Sequence, residues 1–176
     1  MSTLLLKQIS PLFTYVIICE IIILNIKTFE GAINMKENAK LFQQFINENK
    51  LPLISSDTIE GFTTFIIPEE QVIKGTKVRA VIAITSDDCY ADIYIYDIAN
   101  VVNDDTVKAK LYKLLNDLNS TYKFISFYEV SNVVNAKCCI PFSNNFDGQL
   151  VFNILSVLVN AVEDEFDKIV STLWDK

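Results

Sequence analysis

The sequence predicts an α+β fold with elements in the order α-β-β-β-α-β-β-α. Three observations carry this. Residues 62–98 hold three runs in which apolar and polar side chains alternate, the pattern of half-buried strands. Residues 36–49 and 107–118 instead repeat their apolar residues every three or four positions, the pattern of amphipathic helices. Residues 122–174 read as two short strands joined by a tight turn and followed by one long helix.

Composition narrows the function classes. A chain of 176 residues with 51% apolar and 21% charged residues can bury a single-domain core and is not intrinsically disordered. Its 15 Lys and Arg face 22 Asp and Glu, for a formal charge of −7, and the basic residues do not cluster, so nucleic acid is not expected as a partner. The absence of histidine removes His general bases, Ser-His and Cys-His pairs and His-ligated metals. The four cysteines, Cys19, Cys89, Cys138 and Cys139, form no C-x-x-C motif and read as small buried hydrophobes in a reducing cytosol. The glycines Gly31, Gly61, Gly75 and Gly148 form no phosphate loop and no dinucleotide fingerprint.

Residues 1–34 are an apolar N-terminal extension. Leu12–Ile26 is short for a membrane anchor, since as a helix it reaches ~23 Å against a hydrocarbon core of ~30 Å. Glu20 lies in its middle. A signal peptide would need a small-x-small site, which is lacking near Phe29-Glu30-Gly31. Met35-Lys36-Glu37-Asn38 looks like a cytosolic start, so the preferred reading places 1–34 outside the native domain of 35–176. A membrane anchor and an extra packed helix are the alternatives.

The first helix spans Lys36–Asn49, with Ala39, Phe42, Phe45 and Ile46 on one face and Pro52 beyond its end. Residues 53–61 read as a polar connection. The first strand, 62–73, is interrupted by Pro68, which has no N–H to donate and so implies a bulge or an edge. The second, 77–85, puts Val78, Ala80, Ile82 and Ile84 on one face. The third, 89–98, puts Cys89, Ala91, Ile93 and Ile95 on one face and Tyr90, Asp92, Tyr94 and Tyr96 on the other. That tyrosine row is either a recognition platform, since Tyr is enriched at interfaces, or ordinary cross-strand packing. Asn103-Asp104-Asp105 caps a second helix through Leu118. Strands 123–130 and 133–142 flank the Ser131-Asn132 turn, and Pro141 ends their pairing. Asp147 then caps the long helix, with Phe146 and Val151 at the spacing of a hydrophobic staple. Asp87-Asp88, Asp104-Asp105 and Glu163-Asp164-Glu165 read as a turn, a cap and a solvated helix face rather than a metal site.

Four stretches carry a family resemblance: Ala91-Asp92-Ile93-Tyr94-Ile95-Tyr96-Asp97-Ile98-Ala99, Leu111-Tyr112-Lys113-Leu114-Leu115-Asn116-Asp117-Leu118-Asn119, Tyr122-Lys123-Phe124, and Ile140-Pro141-Phe142-Ser143-Asn144-Asn145-Phe146-Asp147. On them, residues 36–175 resemble the YbjN-like family, whose fold looks like that of type III secretion chaperones. The resemblance implies an antiparallel five-stranded sheet with helices packed on it, and a homodimer. It supplies no catalytic residues.

The expected function is therefore a cytoplasmic, non-catalytic protein-binding or regulatory module. It would act through a sheet face, with Tyr90, Tyr94 and Tyr96 as the partner-binding residues, and through a dimer interface. The alternatives are a chaperone for an exported protein and a membrane-anchored variant held by residues 12–26. No catalytic residue, metal or cofactor is expected.

Overall fold

The computed structural model describes residues 37–57, 62–68, 71–85, 89–142 and 146–174. The readings made for residues 1–34, for the Ser86-Asp87-Asp88 turn and for Ser143–Asn145 lie outside these.

Three helices and seven strands are present among the described residues: α1 (Glu37–Asn49), β1 (Ile54–Asp57), β2 (Thr63–Ile66), β3 (Gln71–Ile73), β4 (Thr76–Ile84), β5 (Tyr90–Asn100), α2 (Asp105–Thr121), β6 (Ile125–Val130), β7 (Val133–Pro141) and α3 (Gly148–Trp174). The strands form one antiparallel sheet in the order β1-β2-β4-β5-β7-β6, with β3 also beside β4. The fold is α+β, but the expected five-stranded sheet in α-β-β-β-α-β-β-α order is corrected to seven strands.

Both added strands have local causes. The connection read over 53–61 contains β1, which pairs Ile54 with Ile66 and Asp57 with Thr63. Four residues with one apolar side chain give no periodic signal; the edge of β2 makes them a strand. The run read as a single strand over 62–73 splits around Pro68 into β2 and β3. Both halves lie along the same edge of β4, β2 against Val81–Ile84 and β3 against Thr76–Val78. Between them Ile67 N–H reaches Ala80 O at 3.5 Å, and Pro68 can add no ladder bond.

Helix ends follow the sequence closely. Asp104 accepts from the N–H groups of Thr106 and Val107 at 2.8 and 3.0 Å and starts α2. Asp147 accepts from Leu150 N–H at 3.0 Å and starts α3. Ser131 and Asn132 both take positive φ, 55° and 61°, as a two-residue hairpin with the right twist requires.

All three helices contribute to one core against one face of the sheet. Phe42 and Ile46 of α1, Leu111 and Leu115 of α2, and Leu155, Leu158 and Ile169 of α3 join Phe65, Ile82, Ile93, Ile95, Phe127 and Ala136. The apolar stripe of α3 covers the centre of the sheet, β5 and β7. Where α1 meets the start of α3, Phe42 packs edge-on against Phe65 and Phe146, with centroids 4.9 and 6.0 Å apart, and Phe142 packs on Phe146 at 5.0 Å. Gly148 allows this approach: a Cβ there would lie 2.8 Å from Phe45 Cγ. No helix among the described residues is long and apolar enough to cross a membrane.

Candidate functional site

Because Ala80, Ile82, Ile93 and Ile95 face the helices, their strand neighbours face away from them. This outer face takes Arg79, Val81 and Ala83 from β4 and Tyr90, Asp92, Tyr94 and Tyr96 from β5. Register sets Arg79 beside Tyr96, Val81 beside Tyr94 and Ala83 beside Asp92. On the other flank, Lys137 and Cys139 of β7 lie beside Tyr94 and Asp92. Among the described residues no helix lies over this face.

The fold treats the three tyrosines differently. Tyr94 and Tyr96 are half-buried and stack, with ring centroids 5.3 Å apart and planes 11° from parallel. Tyr90 sits at the beginning of β5, roughly 13 Å along the strand from Tyr94, and is 44% exposed. Arg79 caps the stacked pair: its guanidinium carbon lies 5.7 Å from the Tyr96 centroid, and its Nε donates to Asp97 Oδ2 at 2.5 Å. Lys137 leans the other way, with Nζ 5.6 Å from the Tyr128 ring centre on β6. Cation–π contacts of this kind hold long basic side chains flat against aromatic ones.

A bulge places Asp97 where Arg79 can reach it. The β5–β7 register shifts between Ile95 and Ala99, and Asp97 has φ 67°. Its N–H donates to Oδ1 of buried Asn135 at 3.1 Å, and Asn135 Nδ2 donates to Val133 O at 3.0 Å. Between these pairs β5 has two more residues than β7, and such an insertion twists a strand and re-aims its side chains. Sequence reading missed Arg79, Asp97, Lys137, Tyr128 and Asn135 as parts of this face. One signal was present: Ile93 and Ile95 are two apart, but the next inward residue, Ile98, is three further on.

Cys139 is exposed on this face, yet partial desolvation, then the hydrogen bond its thiol donates to the Asp92 carboxylate, push the thiol up to about 11, which keeps it protonated and poorly nucleophilic at neutral pH. Buried Cys138, on the helix-facing side, is raised for the same leading reason. No group of three or more Cys, Asp or Glu residues that could hold a metal ion occurs among the described residues.

A second polar cluster lies between α2 and α3. Tyr122 Oη donates to Glu165 Oε1 at 3.0 Å, and Lys168 Nζ donates to Glu165 Oε2 at 2.5 Å. Glu165 is only 8% exposed, so the acidic run at 163–165 is not wholly a solvated face. Burial, then the Glu165 bond, push Tyr122 up to about 12. This cluster ties two helices together.

The fold is thus a two-layer α+β arrangement with one face of an antiparallel sheet turned away from its helices. No family model matches the chain, and no curated protein matches it. Among solved structures the chain is similar to the crystal structure of YbjN from E. coli, with a TM-score of 0.45 and 10% identity, covering 73% of this chain and 91% of that one. The likeness is a distant one, and it is to the protein whose family the sequence resembles.

Proposed function

We propose that the protein is a non-catalytic binding module and that the outer sheet face around Tyr90, Tyr94 and Tyr96 is where it takes a protein partner. The stacked Tyr94–Tyr96 pair carries this reading: two aromatic side chains sit side by side on a central strand, braced by Arg79 and Asp97, on the face opposite the helices. Aromatic residues and Arg supply much of the binding energy at protein interfaces, and a braced ring loses little further freedom when a partner arrives.

A photoreactive amino acid at position 90 tests this in cells, with one at position 41 as the comparison, since Leu41 is exposed on α1 in the helical layer. The expected result is a discrete cross-linked product from position 90 and none from 41. Equal labelling from both positions, or none from position 90 in any growth condition, overturns the reading. Cell fractionation of the same cultures tests the cytoplasmic location that goes with it.

A further inference from the structure

We infer that Asp92, between Tyr90 and Tyr94, is the seat for a basic side chain, Lys or Arg, that the partner presents. The seat lies within the proposed partner-binding face and presupposes it.

Asp92 stands halfway between the two rings on β5, roughly 7 Å along the strand from each, and alternation puts all three side chains on the outer face. Its neighbours across the sheet are short: Ala83 on β4 and Cys139 on β7. The rows on either side are taller. Tyr90 and Pro141 lie in one, and Val81, Tyr94 and Lys137 make the other. The result is a low row with a carboxylate at its centre. It deepens from exposed Cys139 through half-buried Asp92 to Ala83, which is 6% exposed, so the way in lies over β7.

The carboxylate is under-used. An ionised carboxylate offers about four acceptor positions. The Cys139 thiol, a weak donor, takes one, and no ion pair to Asp92 occurs among the described residues. The basic side chains of the same face are engaged elsewhere. Arg79 is held by Asp97 and Tyr96, and Lys137, diagonal to Asp92 in register, leans toward Tyr128. Both already lie over tyrosine rings, which is how this face accommodates a cation.

The occupant follows from desolvation and charge. Any partner that covers Tyr90 and Tyr94 strips water from Asp92 between them. A carboxylate stripped of water is costly unless a cation takes the water's place. An apolar segment leaves that cost standing and an acidic one adds to it, so both are selected against. A Lys or Arg forms a charge-assisted hydrogen bond to Asp92 and lays its stem beside the rings. The formal charge of −7 draws such a segment in from a distance.

NMR titration of the 15N-labelled full chain tests this with a lysine peptide (acetyl-glycyl-lysyl-glycinamide) and the same peptide with norleucine in place of lysine. The lysine peptide is expected to bind in the millimolar range, about fivefold tighter than its norleucine counterpart, and to shift the amides of residues 90–94 and 139. D92N, which keeps the side chain's shape, is expected to bring the two peptides level. Y94F, which keeps the ring, should leave the preference unchanged. Raising NaCl from about 20 to 500 mM should weaken the lysine peptide and not the other. Equal binding of the two peptides to wild type, undiminished preference in D92N, or shifts no larger on this row than at exposed Glu163 and Asp164, the sign of diffuse attraction to an acidic chain, overturns the inference. A discrete cross-link from position 90 alongside any of these leaves the binding face standing and removes only its basic partner; absence of that cross-link removes both.

Discussion

Replacing Tyr122 with Phe keeps the ring but removes the hydroxyl that Glu165 relies on. The ring's contact with Phe127, at 5.7 Å between centroids, is retained. What is lost is a 3.0 Å bond to a carboxylate that is nearly buried and keeps only Lys168 from the pair described. Hydrogen bonds to charged groups contribute about 1.5–3 kcal/mol. Because Lys168 remains and the site is partly wet, the lower end applies, about 1.5 kcal/mol, or a Tm lower by roughly 3–6 °C at this size. The pH dependence gives a second measure. The Tyr122 phenol is raised to about 12, first by burial and then by Glu165, from an ordinary 10. The folded state therefore holds its proton longer than the unfolded chain does. That contribution is whole below pH 10 and is lost as pH rises through 12. Two pKa units set a ceiling of about 2.7 kcal/mol, which screening at a partly exposed site lowers. Urea unfolding of wild type and Y122F at pH 8 and 11.5 reads both quantities, and taking the difference removes groups common to the two proteins, such as Tyr112 and Cys139. The gap is expected near 1.5 kcal/mol at pH 8 and less than half that at pH 11.5. A gap that is the same at both pH values would refute the argument.

Three further outcomes are expected. G148A drives a Cβ to within 2.8 Å of the root of the Phe45 ring, which cannot swing away without moving α1; a net loss of about 1–2 kcal/mol should appear in a thermal melt, and a gain would show that the helices part easily. N119A removes both bonds that Asn119 makes to the Phe127 peptide, at 3.0 and 2.7 Å, on the outer edge of β6; a loss of about 1–3 kcal/mol is expected, with more light scattering on heating as the edge is bared. Cys139 should alkylate at pH 8 at least about tenfold more slowly than free cysteine, as its raised pKa requires, with D92N faster than wild type when followed by peptide-resolved mass spectrometry.

What was legible in the sequence was whatever depends on near neighbours along the chain. Asp104 and Asp147 announce their helices because a cap is a contact across two or three residues. Ser131-Asn132 announces its hairpin because a two-residue turn needs positive φ and Asn tolerates it. The 27-residue α3 announces itself by its repeat and was placed to within its cap. The tyrosine row followed from strand alternation alone, and its facing away from the core cluster was already implied there.

Only the tertiary structure decided the rest, because each remaining feature depends on a partner beyond the reach of a cap, a tight turn or a strand's own alternation. Ile54–Asp57 becomes a strand because the edge of β2 is there to receive it. Glu165 leaves its acidic run for the interior because Tyr122, 43 residues earlier, supplies a donor. Gly148 matters because Phe45, on another helix, lies where a Cβ would go. The Tyr94–Tyr96 pair is braced because a bulge opposite Asn135 turns Asp97 toward Arg79. The sequence by itself determined the helices, the strand faces and the row of tyrosines; the distant pairings determined the width of the sheet and which of those tyrosines stand together.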